Sequence, residues 1–183
     1  MRFSLIDQII SVSPGVELTA VKSVSLCEEY LADHFPRFPV LPGVLMLEAM
    51  TQASAWLIRI SEDFAHSVVL LKEARNVKYN DFVAPGHTLT VTSRLKREEG
   101  RETRFDVQGW VENKPTVSAR LILERYNLAD SSPEGASSDV YIKRELRNML
   151  ANLWPAASAR PVGVMPGKEA PADHQAETNA VGR

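Results

Sequence analysis

The sequence predicts an α+β domain in which a curved antiparallel sheet wraps one long central helix, with a helical extension behind it. Two observations carry this expectation. Residues 42–61 hold no Gly or Pro after Gly43, and Leu45, Leu47, Met50, Ala53, Trp56 and Ile60 leave that run apolar on most sides, the mark of a buried helix. Five stretches rich in alternating and β-branched residues, 16–26, 66–79, 88–96, 103–111 and 115–126, read as strands. Turn signals at Pro85-Gly86, Glu99-Gly100 and Asn113-Lys114-Pro115 separate the last four. Short connections imply an antiparallel meander, and a single buried helix needs a sheet to cover it.

Each element has a local reason. Pro36, Pro39 and Pro42 fix φ and disfavour helix before them, so the segment ahead of the central helix is expected to be a stiff, extended loop. Pro42 suits the first position of the helix, which would run on the order of 30 Å. Beyond Tyr126 the composition turns to Ser, Asp, Gly and Pro, so 127–138 reads as a linker closing a domain of residues 1–126. Residues 139–154 then place Ile142, Leu146, Met149, Leu150 and Leu153 at helical spacing, with Ser138 or Asp139 available as a cap. From 155 to 183 there are four prolines and no aromatics, and disorder is expected.

Composition narrows the function. The 183 residues fit one domain plus an appendage, and 44% hydrophobic content is enough for an ordinary core. A net charge of −2 argues against a general nucleic-acid binder. Cys27 is the sole cysteine, so no internal disulfide can form. The N-terminal apolar run is too short for a signal peptide, and no window approaches the ~20 apolar residues of a membrane span. A cytoplasmic address is expected.

The chemistry concentrates in one stretch, from His34 to Gln52. A neutral histidine on a rigid loop can act as a base near neutral pH. The unpaired N–H groups of a helix start, around Gly43 and Val44, can stabilise a developing oxyanion. Glu48, among Leu45, Leu47 and Met50, is the expected general acid, since desolvation raises a carboxyl pKa. Gln52 lies one turn on, where it either orients Glu48 or belongs to an ordinary polar edge with Thr51 and Arg59. His66, His87 and His174 occur singly, and Cys27 has no activating neighbour. No metal-ligand spacing, phosphate loop or nucleophile elbow is present, so neither metal nor cofactor is expected.

The segment HFPRFPVLPGVLMLEAMTQ resembles the HFPGxPxxPGVLxxEAxAQ signature of the hot-dog-fold (3R)-hydroxyacyl-acyl carrier protein dehydratases, the FabZ type in particular. The turn Val83–Leu89 is similar to that family's VxPGDxL piece, and the resemblance covers about residues 1–126. It implies reversible dehydration of (3R)-hydroxyacyl thioesters on acyl carrier protein to the trans-2-enoyl form, in fatty-acid or related acyl-chain synthesis, without a cofactor. It also implies a homodimer, or a trimer of dimers, in which the histidine of one subunit meets the glutamate of the other. In that scheme the Val40 carbonyl holds the histidine ring. Basic side chains including Lys72, Arg75 and Lys78 are candidates for contact with the carrier protein, and equally for ordinary solvent-facing charge on alternating strands.

The sequence departs from the signature at Arg37, where the family has glycine, and at His87, where it has aspartate. Arg37 and Phe38 are thus candidates for shaping the substrate tunnel. Two other functions compete: a hot-dog thioesterase, which would not need the histidine loop, and a non-catalytic carrier-protein-binding paralogue. The His34 and Glu48 pair speaks against the second.

Overall fold

The computed structural model describes residues 4–35 and 37–155. Six strands form one antiparallel sheet: β1 (Gln8–Ser13), β2 (Glu17–Ser23), β3 (Val68–Tyr79), β4 (Thr88–Glu99), β5 (Glu102–Val111) and β6 (Lys114–Tyr126). Three helices accompany them: a single turn α1 (Tyr30–Asp33), the central α2 (Gly43–Ser61) and α3 (Gly135–Leu153). The 19-residue α2 lies against β2, β4, β5 and β6. Strict alternation along β4 and β5 turns Leu89, Val91, Phe105 and Val107 inward, onto Ala49, Met50, Ala53 and Leu57 of the helix. The α+β hot-dog architecture is thus present, with its C-terminal helix.

Three features differ from the sequence reading. The strand order is β1-β2-β4-β5-β6-β3, so β3 does not pair with β4 as a meander requires. It crosses to the far side and pairs with β6, from Val68 opposite Tyr126 to Tyr79 opposite Val117. Side-chain alternation reports which face is buried and is silent on which strand lies alongside. Second, β1 forms an edge strand with an irregularity between Ile9 and Ser11, which broke its alternation and hid it. Third, α1 precedes the proline loop, so His34 leaves a helical turn: its N–H donates to the Tyr30 carbonyl at 3.0 Å.

The extension also starts earlier than expected. A 3-10 turn at Leu128–Asp130 and the first turn of α3 occupy most of the stretch read as a linker. Neither Ser138 nor Asp139 caps the helix. Asp139 instead reaches back, accepting the Leu128 and Ala129 amides at 2.9 and 3.0 Å and the Ser67 hydroxyl. Gly135 permits this fold-back, because a Cβ there would lie 2.6 Å from the Leu128 carbonyl carbon. Lys143 and Arg147 then tie α3 to the turn after α2, donating to the carbonyls of Ala65 and Asp63. The tail expected to be disordered lies outside the described residues, Pro155 apart.

Candidate active site

The loop that carries His34 is held at both ends. Before it, α1 ends on the Tyr30 bond; after it, the Leu41 N–H donates to the Val83 carbonyl at 2.8 Å, pinning the loop to the strand-like segment ahead of Pro85-Gly86. Between these anchors Phe35 adopts a positive φ of 52°, and the Phe38 N–H closes a turn on the Phe35 carbonyl at 2.7 Å. A non-glycine residue in that conformation is uncommon. Arg37 and Phe38 sit on this turn, both exposed, and Phe38 meets Phe82 edge to face at 5.4 Å.

His34 is half-buried and opens onto a cavity of about 310 Å³. Val40, Gly43 and Met46 form one side; Tyr79, Asn80, Asp81 and Phe82, just after β3, form the other. Sequence reasoning had not singled out that second wall. Val40 is buried and shares the cavity with His34, but among the described residues no hydrogen bond joins the ring to the Val40 carbonyl. Hydrogen bonds from Lys114 and from the Phe82 amide hold the Asp81 carboxyl below its usual range, so this wall carries a negative charge.

At the start of α2 the Leu45 and Met46 amides both turn to the Pro42 carbonyl, at 2.9 and 3.1 Å. The Gly43 and Val44 amides have no such partner among the described residues, as expected of a helix N-terminus. Gly43 packs closely on Tyr79: a Cβ there would lie 3.0 Å from Tyr79 Cε1, so the ring would have to give way.

Glu48, half-buried one and a half turns further on, lines a different cavity of about 240 Å³. Gln52 is hydrogen-bonded on both sides: its Nε2 donates to Glu48 Oε1 at 2.9 Å, and its own Oε1 accepts the Leu5 N–H at 2.9 Å. The cavity continues past Thr51 and Trp56 to Arg59, and Leu146 and Met149 of α3 close it. Within one chain, then, Gly43, Val40 and His34 come together, and Glu48 with Gln52 stands apart from them. Among the described residues no cluster of three or more His, Cys, Asp or Glu side chains could hold a metal, and no helix is long and apolar enough to cross a membrane.

A six-stranded antiparallel sheet wrapped on one helix, with a histidine at the helix start and a carboxylate on its face, defines a hot-dog protein with acid–base groups at two cavities. The FabA-like domain family matches residues 1–120, and the chain belongs to that family, on its FabZ-like branch. A Psychrobacter arcticus relative named 3-hydroxyacyl-[acyl-carrier-protein] dehydratase FabZ is 33% identical over 126 residues, 67% of this chain and 86% of that one. A Wolbachia pipientis relative of the same name is 36% identical over 94 residues, 51% of this chain and 66% of its own length. Among solved structures, the dehydratase heterocomplex ApeI:P from Xenorhabdus doucetiae superposes with a TM-score of 0.58 at 23% identity, covering 69% of this chain and 85% of that one.

Proposed function

We propose that this protein dehydrates (3R)-hydroxyacyl-acyl carrier protein thioesters reversibly to the trans-2-enoyl thioesters, as a cytoplasmic homodimer whose sites each join His34 of one subunit to Glu48 of the other. The reaction class follows from the family: the chain is a hydro-lyase of the 3-hydroxyacyl-acyl carrier protein dehydratase type, serving fatty-acid synthesis. His34 takes the α-proton of the thioester, and the Gly43 amide at the helix N-terminus donates to the carbonyl oxygen as enolate charge develops. Glu48, steered by Gln52, protonates the departing β-hydroxyl. The family assignment does not favour the thioesterase or the non-catalytic reading.

The observation that carries the two-chain site is the separation of His34 and Glu48 into different cavities of one subunit. Strand β3 supplies the means to join them. It pairs with β6 on one side, and its other edge bears exposed apolar side chains, with Leu70 53% and Phe82 just beyond it 58% exposed. An unpaired edge twelve residues long is a template for a second copy. Val69, near the start of β3, lines the Glu48 cavity, and Tyr79, at its end, lines the His34 cavity. Antiparallel pairing of two β3 edges sets the start of one beside the end of the other, which apposes the two half-sites. The activity is tested by following enone absorbance while the protein acts on crotonyl and longer enoyl carrier thioesters. Loss of that absorbance on hydration is the expected result; free thiol release without it would make the protein a thioesterase.

A further inference from the structure

Among the described residues lining the Glu48 cavity the cation is Arg59, three turns further along α2 and about 16 Å away by helix rise. Its Nε is buried without a hydrogen-bond partner, and among the described residues no carboxylate pairs with it. Burial pushes its pKa down to about 10, which leaves it charged at neutral pH. The guanidinium carbon lies over the Trp56 ring, 5.4 Å from its centroid. Arg59 is half-buried, a buried polar N–H without a partner is costly to retain, and the fork geometry of guanidinium matches a carboxylate in a bidentate pair. Beside Ser4, Thr51 and Gln52, the walls between Glu48 and Arg59 include Ala55, Trp56, Val69, Leu146 and Met149, surfaces suited to methylenes.

We propose that this cavity receives an acyl chain ending in a carboxylate, and that Arg59 binds that terminus, so that the preferred substrate is an ω-carboxy-3-hydroxyacyl thioester. The inference rests on the dehydratase reading, in which Glu48 serves the β-carbon and the rest of the chain must continue beyond it. The carrier's phosphate lies at the thioester end of the substrate, so an acyl carboxylate is the anion that meets Arg59.

The test uses the full-length protein and two 3-hydroxyacyl thioesters of equal length, one methyl-ended and one carboxylate-ended. The wild type should favour the carboxylate-ended substrate by tenfold or more in kcat/KM. Arg59→Met should reverse that ratio and Arg59→Lys should keep part of it. Equal rates in the wild type, or a ratio unmoved by Arg59→Met, overturn the proposal, and the wild-type ratio needs no variant to fold. Failure of the wild type to hydrate even a crotonyl thioester would sink the dehydratase reading instead. Calorimetry then decides the Arg59 site alone: monomethyl octanedioate should bind where methyl octanoate does not, with binding lost in Arg59→Met, and equal binding of the two esters overturns it.

Discussion

Gln52 holds Glu48 by a 2.9 Å hydrogen bond from its amide nitrogen, while its amide oxygen is fixed by the Leu5 backbone N–H. The two partners define the orientation of the amide, since the oxygen can only accept from Leu5 and the nitrogen can only donate to the carboxyl. Glu48 is therefore aimed by a side chain that the N-terminal segment itself clamps. Replacing Gln52 with Leu should lower kcat about tenfold, the scale of a lost hydrogen bond to a charged group. The alkaline limb of the pH–rate profile, where a general acid loses its proton, should move with it. A lowered KM-independent stability with an unmoved pH profile would show that Gln52 only ties down Leu5.

His34→Ala and Glu48→Gln should each reduce dehydration by about 100-fold or more, the contribution expected of a general base or acid. Mixed and re-associated, the two inactive variants should regain activity, because a heterodimer then holds one site with both groups intact. Absence of recovery in mixtures shown to exchange subunits would place both groups in one chain.

Gly43→Ala puts a methyl group 3.0 Å from Tyr79 Cε1 and 3.2 Å from Cζ. The Tyr79 ring is half-exposed and can yield, so stability should fall by no more than about 1 kcal/mol, the mild end of overpacking. The ring is also a wall of the His34 cavity, and its displacement should reduce activity about tenfold. Tyr79→Leu in the Gly43→Ala background should return part of that activity; a double variant no better than the single one would leave the loss to the helix N-terminus itself.

Asp139 anchors α3. Burial would raise its carboxyl pKa, but hydrogen bonds from the Ser67 hydroxyl and the Ala129 and Leu128 amides outweigh that and hold it below the usual carboxylate range. A carboxyl depressed in the folded state contributes stability that is present above its unfolded value and lost as pH falls through its folded value. Asp139→Asn should therefore melt lower than the wild type at pH 7, and the gap should close below about pH 3.8. A gap that stays constant across that range would mean the carboxylate charge is not what docks the helix.

Much of this was legible from the sequence because the signals are local. The run after Pro42 has the composition of a buried helix whatever surrounds it, and it forms at Gly43–Ser61. His34, Gly43 and Glu48 are singled out by motif spacing, which does not depend on the sheet order. What escaped depends on contacts distant in the chain. The pairing of β3 with β6 is set by the packing of the whole sheet, and the Asn80–Phe82 wall acquires its role only because β3 ends beside the His34 loop. Arg59 did leave a trace, a lone cation in the apolar stretch Ala55–Ile60, but only the cavity shows that it has no acid beside it. The early start of α3 was hidden by Pro133 and Gly135, residues that signal a turn and here permit a helix to begin against Leu128.

The far wall of the Glu48 cavity belongs to α3, through Leu146 and Met149, while the reacting groups sit on α2 and its preceding loop. On the proposed reading α2 serves both the reaction and the chain terminus, while α3 adds a wall that carries neither His34 nor Glu48. Substitutions on a peripheral helix can lengthen, shorten or recharge the compartment without disturbing the base, the acid or the helix start. Evolution can treat such an enzyme as a fixed reactor with an exchangeable gauge, and so can a protein engineer.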